Sequence, residues 1–388
     1  MEVYFMKKPH DITTARPWFS DTDIDFITSK IPDILRGQLT MGKWVHALEE
    51  KMANMAGTRY ALATNSCTSA LEIALKSLGI GSGDEVLVPA QTFTATAAAV
   101  ENVGATPVFC DICSHTLCLD PKDALERITQ HTRAIILVHF AGLITPDLPE
   151  IEKLCRDNKL HLIEDAAHAH GAVKGKRPAG SIGSFGAFSY YATKVLTTGG
   201  EGGGLTTNDE SLYKIAKSYQ YRGQDLDVQE EEVFIHIGRN VRMMDFAALC
   251  GVKQHERLDE FIRCRNKIAD RYNAFINSEM PECEIQICPT DTRHAFWKHV
   301  FILPQGKSRQ QLKQLMYEKY GLPLNWSYYP PVHLQPVFQK MYGTYQGMLP
   351  VAERICAQCV NLPMNVLLTD EDVEYICESL LHCYKLCK

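Results

Sequence analysis

Residues 60–88 read YALATNSCTSALEIALKSLGIGSGDEVLV, and the fold is decided there. Tyr60–Thr64 is a short β-rich run. Thr68–Leu78 places Ala70, Leu71, Ala74, Leu75 and Leu78 on one face at helical spacing, and Glu85–Val88 returns to a strand. A strand, a helix and a second strand within about thirty residues make a βαβ unit, the building block of a parallel sheet. The rhythm continues outward. Thr94–Val103 reads as a small-residue helix closed by Gly104, Pro107–Cys110 as a strand and Pro121–Thr129 as a helix. Arg133–Val138 then reads as an apolar strand, Leu148–Asn158 as a helix and Leu160–Ile163 as a strand. The alternation predicts an α/β fold, a mostly parallel sheet between helices.

Gly171 to Gly204 is rich in glycine, the pattern of tight turns and of backbone approaching a ligand. From Asp245 to Ile276 the period is helical again, with Phe246, Leu249, Leu258, Phe261, Ile262, Ile268, Tyr272 and Phe275 as the apolar stripe. Beyond it, Lys298–Leu303 reads as a strand, Arg309–Tyr320 as a helix, Tyr328–Pro336 as an aromatic, Pro-rich loop and Asp370–Cys383 as a closing helix. The expected organisation is an N-terminal segment 1–20, a large domain 21–244 and a smaller C-terminal α/β domain 245–388.

Composition bounds the function. The chain has 388 residues, 45% hydrophobic and 22% charged, which excludes disordered and fibrous classes. With 40 basic against 46 acidic residues the formal net charge is −6, so nothing general draws it to nucleic acid or an anionic membrane. Its 14 cysteines include two CxxC pairs, Cys110/Cys113 and Cys356/Cys359. The pairs stand far apart in sequence and lack a Gly-rich knuckle, so buried free thiols are expected rather than a metal site. Lys7, Lys8 and Arg16 sit near the N-terminus without a signal-length apolar run, and no window approaches a membrane span. A cytoplasmic location is expected.

Three segments carry chemistry. Asn65-Ser66-Cys67-Thr68-Ser69 joins a strand to a helix, where free amides and hydroxyls suit a phosphate, although taken alone the segment is better explained by simple N-capping from Ser66 or Thr68. Glu164-Asp165-Ala166-Ala167-His168-Ala169-His170 follows an apolar strand and puts acids and imidazoles where α/β folds bind ligands. The interleaved alanines suggest an open surface under a planar ring. In Phe188-Ser189-Tyr190-Tyr191-Ala192-Thr193-Lys194 a lysine stands among hydroxyls ahead of a Gly-rich loop. The order excludes a P-loop, while an amine screened from water suits a Schiff base with an aldehyde cofactor.

Together these segments resemble the DegT-type (DegT/StrS-like) pyridoxal-phosphate-dependent sugar aminotransferases, which have the fold-type I architecture. The resemblance extends through Leu75 to Val88, Pro89 to Thr96, Glu164 to Gly171, Phe188 to Gly204, Gly238 to Met243, Leu349 to Glu353 and Asn361 to Met364. It implies pyridoxal 5′-phosphate as cofactor, with pyridoxamine 5′-phosphate between half-reactions. Lys194 matches the Schiff-base lysine and Asp165 the acid paired with the ring nitrogen. His168 matches a residue near the ring's phenolic oxygen, and Phe93 an aromatic stacked on the ring. Cys67, Thr68, Ser69 and Ser189 fall at the phosphate, and Asn240 matches an asparagine that the neighbouring subunit contributes, so the resemblance implies a homodimer with shared active sites. Arg222, Tyr328, Tyr329 and His333 resemble substrate contacts.

Three departures stand out: Cys67 for a usual Gly, Val195 for a usual Asn after the lysine, and Ser69 where Asp or Ala is common. What the resemblance implies is amino transfer from glutamate or glutamine to a keto sugar, foremost a nucleotide-linked keto-deoxysugar. A keto-cyclitol, a keto-sugar acid or a non-catalytic cofactor binder stand as alternatives. The related dehydratases carry His in place of the lysine, so Lys194 speaks against them.

Overall fold

The computed structural model describes residues 11–228 and 231–387. Met1–His10, Gln229, Glu230 and Lys388 lie outside the described residues, Lys7 and Lys8 among them. Nine strands in the first two-thirds of the chain are β1 Tyr60–Thr64, β2 Glu85–Pro89, β3 Thr106–Cys110, β4 Thr132–Val138, β5 His161–Asp165, β6 Val173–Lys174, β7 Arg177–Pro178, β8 Phe185–Ser189 and β9 Gly203–Thr207. Seven of them form the central sheet in the order β1-β9-β8-β5-β4-β2-β3. All run parallel except β9, which is antiparallel to both neighbours. A parallel return needs a crossover helix, and the segment between β8 and β9 holds none, so the chain doubles back.

The sheet is covered on both faces. One core takes in the helices Cys67–Ser77 and Thr94–Asn102, the other the helices Lys43–Ala56 and Leu148–Asn158. Residues of β4 alternate between them, Ala134 and Ile136 to one and Ile135 and Leu137 to the other. That two-sided burial is why β4 reads as a continuous apolar run. The parallel strands share one carboxyl edge, which brings the ends of β5 and β8 and the start of helix Cys67–Ser77 together.

The expected single helix Asp245–Ile276 is two. Helix Asp245–Glu256 packs on Lys43–Ala56, and helix Leu258–Glu279 packs on the closing helix Asp370–Leu386. They break at Arg257, whose guanidinium bonds Asp23 and Glu260 and lies 3.7 Å from the centroid of the Trp18 ring. No Gly or Pro marks the break, so the apolar stripe runs through it unaltered. A third core joins Ile268 of this helix to Cys387 and closes over Ile12. It backs an antiparallel sheet of Glu284–Ile285, His299–Ile302 and Cys359–Leu362. The last of these strands, Cys359–Leu362, is not anticipated from the sequence, where it follows a helix without a turn residue.

Among the described residues no helix is long and apolar enough to cross a membrane, and no group of His, Cys, Asp or Glu is arranged to hold a metal. All fourteen cysteines are free thiols.

Candidate active site

A cavity of about 570 Å³ opens at the carboxyl edge of the sheet, between it and the C-terminal part of the chain. Asp165, the last residue of β5, lies in it, held by a hydroxyl and an amide, with the Cys67 thiol a weaker third donor at 4.0 Å from Oδ1. Thr96 Oγ1 donates to Oδ2 at 2.8 Å and the Ala167 N–H to Oδ1 at 3.2 Å. Thr96 is fixed in turn by Thr92, oxygen to oxygen at 2.7 Å. The carboxylate is therefore oriented and keeps lone pairs for a ligand.

Glu164, one residue earlier, points the opposite way, as strand alternation requires. It accepts the N–H groups of Gly180, Ile182 and Gly183 at 2.7, 2.7 and 3.0 Å and bonds His139 Nε2 at 2.8 Å, wholly buried. His170 is also buried, packed on Phe188 and Tyr190. Of the two acids and two histidines in this segment, only Asp165 and His168 line the cavity.

Lys194 follows β8 in the glycine-rich loop, with its Nζ 4.2 Å from the centroid of the Trp297 ring. Burial lowers its ammonium to about 8, against Asp165 and Cys67, which raise it. This amine therefore loses its proton more readily than an exposed lysine, as a nucleophile toward an aldehyde requires. His168 is buried and neutral: burial, followed by the charges of Lys194 and Lys298, lowers its pKa far below the ordinary imidazole value. It stacks on Trp297 with centroids 3.8 Å apart and 13° between planes, and its Nε2 lies 3.1 Å from the Tyr328 hydroxyl. Its buried Nδ1 has no partner among the described residues. Phe93 lines the cavity with 57% of its surface exposed, its ring 5.6 Å from that of Tyr328.

Helix Cys67–Ser77 begins in the same cavity. Ser66 is the cap, accepting the Ser69 N–H at 3.1 Å, which decides between the two capping candidates. The amides of Cys67 and Thr68 have no carbonyl partner within the helix, and both residues line the cavity. Ser69 belongs to the cap, its hydroxyl 3.0 Å from Ser66 Oγ, and does not line the cavity. Gly203 lets β9 pass this turn: a Cβ there would lie 2.1 Å from the Ser66 carbonyl carbon. Ser189, at the end of β8, faces the same space.

Other expected contacts lie elsewhere. Asn240 is exposed outside the cavity and accepts from Arg242 Nε and Nη2 at 3.0 and 2.9 Å. Arg222 is exposed on the same segment, over Tyr221 and Phe234. His333 is fully buried against Phe109 and bonded to Glu353 at 3.1 Å, and Tyr329 packs under Arg309, so neither lines the cavity. The sequence reading missed Thr96, Trp297, Lys298, Asn325, Trp326 and the stretch Thr14–Ala15, all of which line it. None of them left a distinctive signal; even Lys298 reads as an ordinary lysine at the entrance to an apolar strand.

An amine of lowered pKa near an oriented carboxylate suits an aldehyde cofactor whose ring nitrogen needs a counter-charge. Amides at a helix start supply the matching seat for its phosphate. The class so defined is that of the pyridoxal-phosphate-dependent transferases. Comparison with known proteins narrows it: residues 22–381 match the DegT/DnrJ/EryC1/StrS aminotransferase family, and the chain belongs to that family. The chain is 34% identical over 388 residues to the spore coat polysaccharide biosynthesis protein SpsC of Bacillus subtilis (strain 168), covering 96% of this chain and 97% of that one. It is 34% identical over 343 residues to the GDP-perosamine synthase of Escherichia coli O157:H7, covering 88% and 91%.

Among solved structures, an aminotransferase from Psychrobacter cryohalolentis superposes with a TM-score of 0.90 at 28% identity, covering 97% of this chain and 99% of that one. NtdA from Bacillus subtilis, with bound cofactor PMP, superposes at 0.87 and 27% identity, covering 98% and 87%. The expected α/β fold and the expected pyridoxal-phosphate-dependent aminotransferase are both borne out.

Proposed function

We propose that this enzyme moves an amino group from glutamate or glutamine to the keto group of a nucleotide-linked keto-deoxysugar, in the cytoplasm and as a homodimer. The observation that carries the reading is Lys194 and Asp165 in one cavity with the open amides of helix Cys67–Ser77. The name of the GDP-perosamine synthase supports a nucleotide-linked sugar, and the free thiols suit a reducing compartment.

When bound, pyridoxal phosphate supplies an aldehyde to take up the amino group and a ring to withdraw electrons from the donor Cα. The chain supplies the rest. Lys194 Nζ would hold the cofactor and, once released by an incoming amine, would serve as the base that takes the proton from the donor Cα and, with the acceptor, as the acid that returns one. Asp165, oriented by Thr96 and Ala167, keeps a proton on the ring nitrogen. The amides of Cys67 and Thr68, with the hydroxyls of Thr68 and Ser189, hold the phosphate. Neutral His168 has a free Nδ1 that would be available to a polar group of the cofactor, and Phe93 would help enclose it. On the substrate side Tyr328 presents its hydroxyl beside His168. His333 and Tyr329 act from behind, one tied to Glu353 and the other under Arg309, keeping the loop in place.

Asn240 supports the dimer: it is exposed outside its own cavity, amid the exposed apolar side chains Phe234, Ile235, Met244 and Ile237, the last 97% exposed. A second subunit burying this patch would receive Asn240 at its phosphate site and Arg222 at its cavity mouth.

The test is to incubate the pyridoxamine form with keto-sugar nucleotides, keto-cyclitols and keto-sugar acids and to watch for the aldehyde absorbance. Its return with a keto-sugar nucleotide is expected. Return with a cyclitol or sugar acid alone would overturn the substrate class.

A further inference from the structure

The cavity holds a second buried amine that the steps above do not use. Lys298 lines it at 6% exposure, and among the described residues no carboxylate stands within salt-bridge distance of its Nζ. Its Nζ lies 5.1 Å from the centroid of the Trp297 indole, the same ring that Lys194 approaches at 4.2 Å. The two amines thus approach one side chain.

The cavity's charges are out of balance. Its acids are Asp165, committed beside Lys194, and Glu201, which is exposed at the rim. A buried ammonium without a counter-ion is costly in the resting protein and becomes favourable when an anion arrives. Burial, with Arg265 and Lys194 nearby, already lowers the Lys298 ammonium to about 8. The missing partner is an anion that enters with substrate.

We propose that Lys298 receives the α-carboxylate of the amino-acid donor, so that the enzyme takes α-amino acids and not simple amines. The proposal rests on the aminotransferase reading and adds the donor's recognition to it. Geometry chooses between the two anionic substrates. The donor's carboxylate is one bond from the Cα whose proton Lys194 removes, so it must lie close to Lys194. The diphosphate of a nucleotide sugar sits at the far end of the sugar from a keto carbon and extends toward the cavity mouth. A cation sharing the Trp297 ring with Lys194 is placed for the first.

The test compares 2-methylalanine, an α-amino acid with no Cα proton to lose, with tert-butylamine, which has a methyl group in place of the carboxylate. Each is titrated against the absorbance of cofactor-loaded enzyme, so binding is read without turnover. Lys298→Met should weaken 2-methylalanine by about 10- to 100-fold and leave tert-butylamine unchanged. Lys298→Arg should recover most of the loss. The preference of the wild type for 2-methylalanine over tert-butylamine should fall as pH rises through about 8, a dependence the Met variant lacks. Should Lys298→Met not fold, Lys298→Gln, similar in length and uncharged, carries the same comparison.

Equal weakening of both ligands, or of neither, would overturn the proposal. So would an unchanged donor affinity with impaired return of the aldehyde by the keto sugar, which would assign Lys298 to the acceptor's phosphates. A wild-type enzyme indifferent to every amino acid would instead sink the aminotransferase reading, which separates the two failures.

Discussion

The two walls of the cavity are built differently. The sheet-side wall offers Asp165, Ser189, Thr68 and Lys194, each at a strand end, a helix start or the loop that follows. The opposite wall offers Trp297, Lys298 and Asn325–Tyr328, drawn from the start of a strand and an aromatic loop. One wall is made of hydroxyls, amides and a carboxylate at fixed points; the other is made of rings and a lone cation. On the proposed reading this is a division of labour: the sheet edge would hold a constant group, and the rings and cation would meet substrates that alternate.

Substitutions should separate the walls. The largest effect belongs to Lys194→Ala, which removes the anchor and the proton carrier together; turnover should fall by at least about 10²–10⁴-fold, measured under saturating cofactor. Next come the neighbours Glu164 and Asp165. Asp165→Asn should cut turnover by about 10²–10³-fold while leaving the denaturation midpoint nearly unchanged. Glu164→Ala strands three N–H groups, one buried and two part-buried, together with the buried His139, and should destabilise the fold by about 3–5 kcal/mol in urea unfolding. If both variants lose stability alike, the split between a structural and a chemical carboxylate fails.

A smaller effect is expected from pH. The neutral Lys194 amine is the reactive form and its ammonium is lowered to about 8, so apoprotein should capture pyridoxal phosphate about tenfold faster per pH unit below 8 and level off above. A flat profile between pH 6 and about 8 would contradict the assignment. On the other wall, Tyr328→Phe removes the hydroxyl that His168 Nε2 meets and should lower turnover by no more than about tenfold, acting on substrate steps and not on cofactor affinity.

The two walls also differ in how far the sequence disclosed them. The βαβ rhythm of residues 60–165 is legible because strand and helix periods alternate without interruption, and strand ends in such folds face ligands, which brings Asp165 and the helix start into view. Lys194 stands out by its neighbours. The facing wall is assembled from segments remote in sequence, and a tryptophan and lysine ahead of an apolar strand look like any strand entrance. Arg257 hides its helix break for a similar reason: contacts with Trp18 and Asp23, more than two hundred residues away, make it. Glu164 and Asp165 are equivalent as letters, and only their strand register separates them. His333 shows the reverse error, a histidine in a promising motif that packing turns inward.

With two amines of lowered pKa beside one indole, the central claim is that Lys194, not Lys298, holds the cofactor. Reducing the loaded enzyme with borohydride and mapping the modified peptide by mass spectrometry tests it directly. The account predicts the mass of reduced pyridoxal phosphate on the peptide that contains Lys194. The same mass on the peptide containing Lys298, or on neither, would contradict it.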